Sequence, residues 1–74
     1  MPQGVQLAQI EQIFEILDRL AISREAVIIP LRPQGTGGVK RLSNGKLEIL
    51  VPADLLFDEW YASLEGAIKN VYPA

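Results

Sequence analysis

Val39-Lys40-Arg41-Leu42-Ser43-Asn44-Gly45-Lys46-Leu47-Glu48-Ile49-Leu50-Val51 is the stretch that decides the fold. Asn44-Gly45 sits between two arms of strand-like residues. Asn-Gly is the strongest short-range hairpin signal, because both residues tolerate the positive φ that a type I′ turn requires. The arms are expected as strands over 39–42 and 46–51. Side chains alternate across a strand, so Leu47, Ile49 and Val51 share one face and should meet the core. Glu48 and Leu50 then look the other way. Pro52 ends the second arm.

Upstream of the hairpin, Gln34-Gly35-Thr36-Gly37-Gly38 reads as a loop. Before it, Ala26-Val27-Ile28-Ile29 is a short β-branched run and reads as a third strand. Pro30 cannot donate to a ladder, which places that strand at a sheet edge or bends it there. Farther back, Leu7, Ile10, Ile13, Phe14, Leu17 and Leu20 recur at steps of three and four. That spacing is one apolar face of a helix over about 5–21. Glu15 and Arg19 lie four apart on it, at ion-pair spacing.

Downstream, Leu56, Trp60, Leu64, Ile68 and Val71 form a second helical stripe. Asp54 is the expected N-cap, since its carboxylate can accept from free backbone N–H groups. Asp58 and Glu59 suit the positive end of the helix dipole, and Lys69 suits the negative end.

The order is therefore αβββα. The expected fold is a single α+β domain over 1–74, a small antiparallel sheet with two amphipathic helices packed on one face. The other face is left open, with Leu50 and Ile28 looking out on it.

Composition narrows the chemistry. The 74 residues contain no histidine and no cysteine. A cysteine or histidine zinc site, a disulfide, and any nucleophile that needs a histidine base are excluded within this chain. Apolar residues are 49% and charged residues 22%, with a net charge of −2, which suits a packed core rather than disorder. No run approaches eighteen apolar residues, so no membrane span is expected. No basic stretch followed by an apolar core opens the chain, so no secretory signal is expected and the cytoplasm is the default location. A domain near this size buries only about 60% of its unfolded surface and is marginal alone. With neither metal nor disulfide to help, a homodimer or another protein partner is expected.

The charges are segregated. Residues 24–46 carry Arg24, Arg32, Lys40, Arg41 and Lys46 against Glu25, a net +4, while residues 47–74 carry a net −4 and residues 1–23 a net −2. Arg32, Lys40, Arg41 and Lys46 are candidates for phosphate contacts with a nucleic acid. No aromatic residue stands among them to stack on bases, so a solvated strand edge is the favoured reading. Gly35-Thr36-Gly37-Gly38-Val39-Lys40 invites comparison with a phosphate-binding loop. Here Val39 separates glycine from Lys40, and a strand follows instead of a helix.

Asp58 and Glu59 are adjacent and diverge around a helix, and Asp54 and Asp58 are ordinary first-turn residues. No catalytic residue, cofactor or metal is expected, and the chain reads as a non-enzymatic association domain. Val39, Arg41, Ile49 and Leu50 are candidate interface residues on the sheet. Tyr61 and Tyr72, at the margin of the second stripe, are candidates on the helix.

A leading helix, strands, Leu47-Glu48-Ile49-Leu50-Val51 and a long helix together resemble the core of zincin-type metallopeptidases. In that family the last helix carries His-Glu-x-x-His, with both histidines on zinc and the glutamate as base. The comparable stretch is Leu64-Glu65-Gly66-Ala67-Ile68, in which Glu65 alone matches. Leu64 and Ile68 stand at the metal positions, so the resemblance implies an inactive, histidine-free relative.

Overall fold

The computed structural model describes residues 4–72. Helix α1 (Leu7–Arg19) leads through a short 3₁₀ turn (Arg24–Ala26) into strands β1 (Val27–Ile28), β2 (Gly38–Arg41) and β3 (Leu47–Leu50), and helix α2 (Phe57–Val71) closes the fold. This is the expected α+β domain with its strands between two helices.

The sheet is mixed rather than antiparallel. Its order is β1-β3-β2, with β3 in the centre. β2 and β3 form the antiparallel hairpin, in the register Val39↔Ile49 and Arg41↔Leu47. β1 runs parallel to β3, with Val27 beside Leu47 and Ile28 beside Glu48. The reason lies in residues 29–37, which cross the far end of β3 instead of turning back. The Gln34 N–H donates to the Val51 carbonyl at 2.9 Å, and the Ala53 and Asp54 N–H groups both donate to the Gly35 carbonyl. Pinned there, the chain enters β2 on the opposite edge. β1 lies at an edge, one of the two outcomes expected from Pro30, and ends at Ile28 before the proline is reached.

The hairpin turn is one residue longer than the type I′ expectation. Leu42 N–H donates to the Lys46 carbonyl at 2.7 Å, and Gly45 N–H to the Leu42 carbonyl at 2.9 Å. Gly45 takes φ +86° while Asn44 stays at negative φ. This is a type I turn followed by a left-handed glycine. The Asn44 side chain accepts from the Lys46 N–H at 2.9 Å, so it braces the loop without entering the left-handed region.

The core is continuous across the helices and one sheet face. Leu47, Ile49 and Val51 are buried as the alternation demands, together with Ile13, Ile16 and Leu17 of α1 and Trp60, Leu64 and Ile68 of α2. Val27 and Val39 pack against the same cluster, so both helices lie on one side of the sheet. The other side carries Ile28, Leu50 and an ion pair between Lys40 and Glu48 at 3.4 Å.

Helix ends differ from the sequence reading for local reasons. α1 opens at Gln6, whose N–H donates to the Gln9 side-chain carbonyl at 3.0 Å. It closes with Ala21 N–H on the Asp18 carbonyl and Ile22 N–H on the Leu17 carbonyl. That pairing is a Schellman motif. Its left-handed position, normally a glycine, is held by Ala21 at φ +58°. Asp54 is not the cap of α2. Its N–H is drawn to Gly35, and the helix begins three residues later with Leu56 as N-cap and no side-chain cap.

Candidate functional site

The late start of α2 exposes side chains that the helical stripes assign to the core. Leu56 is 69% exposed, and Leu7, at the first position of α1, is 70% exposed. Leu31, Leu55 and Ile28 complete the large exposed apolar residues among those described. Leu31 follows β1, Leu55 and Leu56 precede α2, Leu7 opens α1, and Ile28 sits on the open sheet face beside Glu48.

A groove of about 760 Å³ opens at the end of β3. One wall is the segment after β1, with Leu31, Arg32 and Pro33. The floor and far wall are Val51, Pro52 and Ala53, and the start of α1 contributes Gly4, Gln6 and Gln9. The walls are tied together by backbone bonds. Val5 N–H donates to the Leu31 carbonyl at 2.8 Å, and Gln34 N–H to Val51 as described. Leu7 follows the wall residue Gln6, and Leu55 and Leu56 follow Ala53. Leu31 is thus the one large exposed apolar residue among those described that lines the groove itself.

Gly37 locks the crossing segment against the end of β3. It adopts φ +71°, and a Cβ there would stand 2.7 Å from the Leu50 carbonyl oxygen and 2.9 Å from the Pro52 nitrogen. Only glycine fits. The glycine-rich stretch thus has a backbone reason for its composition. Its carbonyl at Gly35 accepts from Ala53 and Asp54, its N–H at Gly37 donates to Gln34, and Lys40 is engaged by Glu48.

The interface candidates do not share one surface. Leu50 lies half-buried on the open sheet face. Ile49 is fully buried and offers nothing to a second molecule. Val39 packs on the core side. Arg41 lies over the Tyr72 ring, 5.4 Å from its centroid. The Tyr61 hydroxyl donates to the Gln12 carbonyl at 2.9 Å, and its ring stacks on Phe57. Tyr61 and Tyr72 are therefore half-buried parts of the domain's own packing.

The basic candidates are also dispersed. Lys40 and Arg41 are neighbours on β2 and point to opposite faces. Arg32 lies in the groove at the end of β3, while Lys46 lies in the hairpin loop at its start. Among the described residues these four do not form a strip of phosphate-spaced cations. Arg24 is paired with Asp18 at 3.1 Å and covers the Phe14 ring.

Glu65, the residue that carries the peptidase resemblance, holds a structural position. Its carboxylate meets Arg19 at 3.1 Å and Lys69 at 3.4 Å. Arg19 thus reaches across to α2 and not to Glu15, the partner its spacing suggests. Among the described residues, no group of three or more acidic side chains converges as a metal site does, no polar or charged side chain is buried, and no helix is long and apolar enough to cross a membrane.

No protein-family model, no curated protein and no solved structure matches this chain.

Proposed function

We propose that this chain is a non-enzymatic association domain, working in the cytoplasm as a homodimer or as a subunit of a larger assembly. One observation carries the reading. Of the five large apolar side chains exposed among the described residues, Leu31 lines the groove and Leu7, Leu55 and Leu56 lie within three residues in the chain of ones that do, while Ile28 sits on the open sheet face. Scattered single apolar residues on a surface are ordinary, but a concentration of them marks an interaction site. The acidic side chains do not converge, and the ion pairs formed are exposed and structural. That arrangement favours binding over acid–base work, which calls for a placed and environmentally tuned group.

The test is absolute mass by light scattering after size exclusion, across a range of concentrations. A mass of twice 8.2 kDa, rising with concentration, supports self-association. A mass fixed at one chain up to millimolar concentration removes the homodimer reading.

A further inference from the structure

We propose that the groove end is the self-association face, and that its occupant is a second copy of this chain related by two-fold symmetry. The inference rests on the association reading above and names the surface and partner within it.

A two-fold interface is isologous: each patch must complement itself, so that residue i meets residue j and j meets i. The groove end meets this condition in both apolar and charged terms. Leu31 and Arg32 form one rim. Val51, Pro52 and Ala53 line the groove from a second stretch of the chain, and the exposed Asp54, Leu55, Leu56 and Asp58 follow after Ala53. A two-fold axis through the groove sets the first rim of one copy against the second rim of its partner, twice over. Leucines then meet leucines, and Arg32 meets the aspartates.

The charges are available for this. Arg32, Asp54 and Asp58 are exposed, and none takes part in an ion pair among the described residues. The cations of the sheet and of both helices that meet acidic groups do so within the same copy. Arg32 lines the groove, and the unpaired Asp54 and Asp58 follow its lining residue Ala53 in the chain.

The competing surfaces are less suited. The open sheet face has its charges, Lys40 and Glu48, already satisfied by each other. The free edge of β2 carries Lys40 and Arg41, and antiparallel pairing of two such edges would set like charges together. A stable interface needs about 800 Å² per partner, near one-sixth of the 4876 Å² surface of the domain. Leu31 in the groove and the neighbouring Leu55 and Leu56 are the exposed apolar side chains that would anchor such an area.

The test uses a pair of charge reversals and the whole chain. Arg32→Glu sets a carboxylate against the aspartates of the second copy, and Asp54→Lys with Asp58→Lys sets two ammonium groups against its arginine. Each variant alone should dimerise at least about tenfold more weakly than the wild type, because like charges face each other across the contact. An equimolar mixture of the two should regain the dimer mass, since reversed rims then meet rims of opposite sign. Leu31→Glu should leave a monomer with an unchanged far-ultraviolet circular-dichroism spectrum, and Leu50→Glu should remain a dimer. A wild-type chain that is monomeric throughout overturns the association reading itself. A wild-type dimer unaffected by Leu31→Glu and Arg32→Glu, or a mixture that fails to recover, leaves that reading standing and overturns this face.

Discussion

Arg19 on α1 and Glu65 on α2 stand 46 positions apart in the chain and meet at 3.1 Å, making the polar clasp between the two helices. Both side chains are substantially exposed, 59% and 37%, so solvent screens the pair. Exposed ion pairs contribute about 0.2–1 kcal/mol. A double-mutant cycle with Arg19→Ala and Glu65→Ala should give a coupling energy in that range, fading in salt of about 1 M. A coupling above about 2 kcal/mol would mean that the pair is far less hydrated than its exposure indicates.

Ile49 and Leu50 are neighbours with opposite fates. Ile49→Ala empties a fully buried position and should cost about 2–5 kcal/mol, a large part of the roughly 4–11 kcal/mol available to a domain of this length. Leu50→Ala trims a half-buried side chain outside the core and should cost under about 1.5 kcal/mol. Urea titration of both variants reads the contrast directly. Equal losses would place Leu50 in the core.

Much of this fold is legible in the sequence, and for identifiable reasons. The alternation of Leu47, Ile49 and Val51 and the Asn44-Gly45 signal define the hairpin, because local pattern and local turn chemistry agree there. The inner stripes of both helices are legible for the same reason. The parallel partnership of β1 is not, since a two-residue strand carries too little pattern to specify a direction. The groove is hidden because Leu7 and Leu56 fit the helical stripes by their spacing. Asp54 resembles a cap, and only the three-dimensional placement of the Gly35 carbonyl shows that its N–H is drawn elsewhere. The one available signal is Leu55-Leu56: two consecutive leucines cannot both lie on the centre of one narrow helical stripe.

Ala21 offers a stabilising change. It occupies a left-handed position that costs an L-residue about 1–2 kcal/mol, while glycine adds about 0.4–1 kcal/mol of unfolded-chain entropy to overcome. Ala21→Gly should therefore raise stability by about 0.5–1 kcal/mol, read as a higher urea midpoint at constant slope. A lower midpoint would show that the Schellman closure is not maintained in solution.

Gly37 and Gly35 both take positive φ, but only Gly37 is crowded. Gly35→Ala should cost about 1–2 kcal/mol for the backbone conformation alone. Gly37→Ala adds a collision with the Leu50 and Pro52 backbone and should cost several kcal/mol, enough to lower expression of folded protein. Comparable midpoints for the two variants would sink the close-approach argument.

The Tyr61 hydroxyl donates to Gln12 across the helix pair at 2.9 Å, at a site in part open to water. Tyr61→Phe keeps the ring on Phe57 and removes the bond, so the loss should be about 0.5–1.5 kcal/mol. Thermal melts of the variant and the wild type measure it. A loss beyond about 2 kcal/mol would point to a hydroxyl shielded from water.

The pairing of β1 with β3 also sets an order in time. The β2–β3 hairpin closes over a short loop, an event of about 1–10 μs. β1 must wait for residues 29–46 to be threaded past the far end of β3, and closing that longer loop carries an entropic delay. Its two residues add little contact energy once in place. By loop length alone the hairpin is expected to form before β1 pairs with β3, which amide hydrogen exchange at Val27 and Ile28 against Leu47 and Ile49 would check. The segment that continues from β1 forms the Leu31–Arg32 rim of the groove. The Val5 N–H on the Leu31 carbonyl and the Gln34 N–H on the Val51 carbonyl hold that rim from outside the β1 ladder, so local opening of β1 should leave the rim in place.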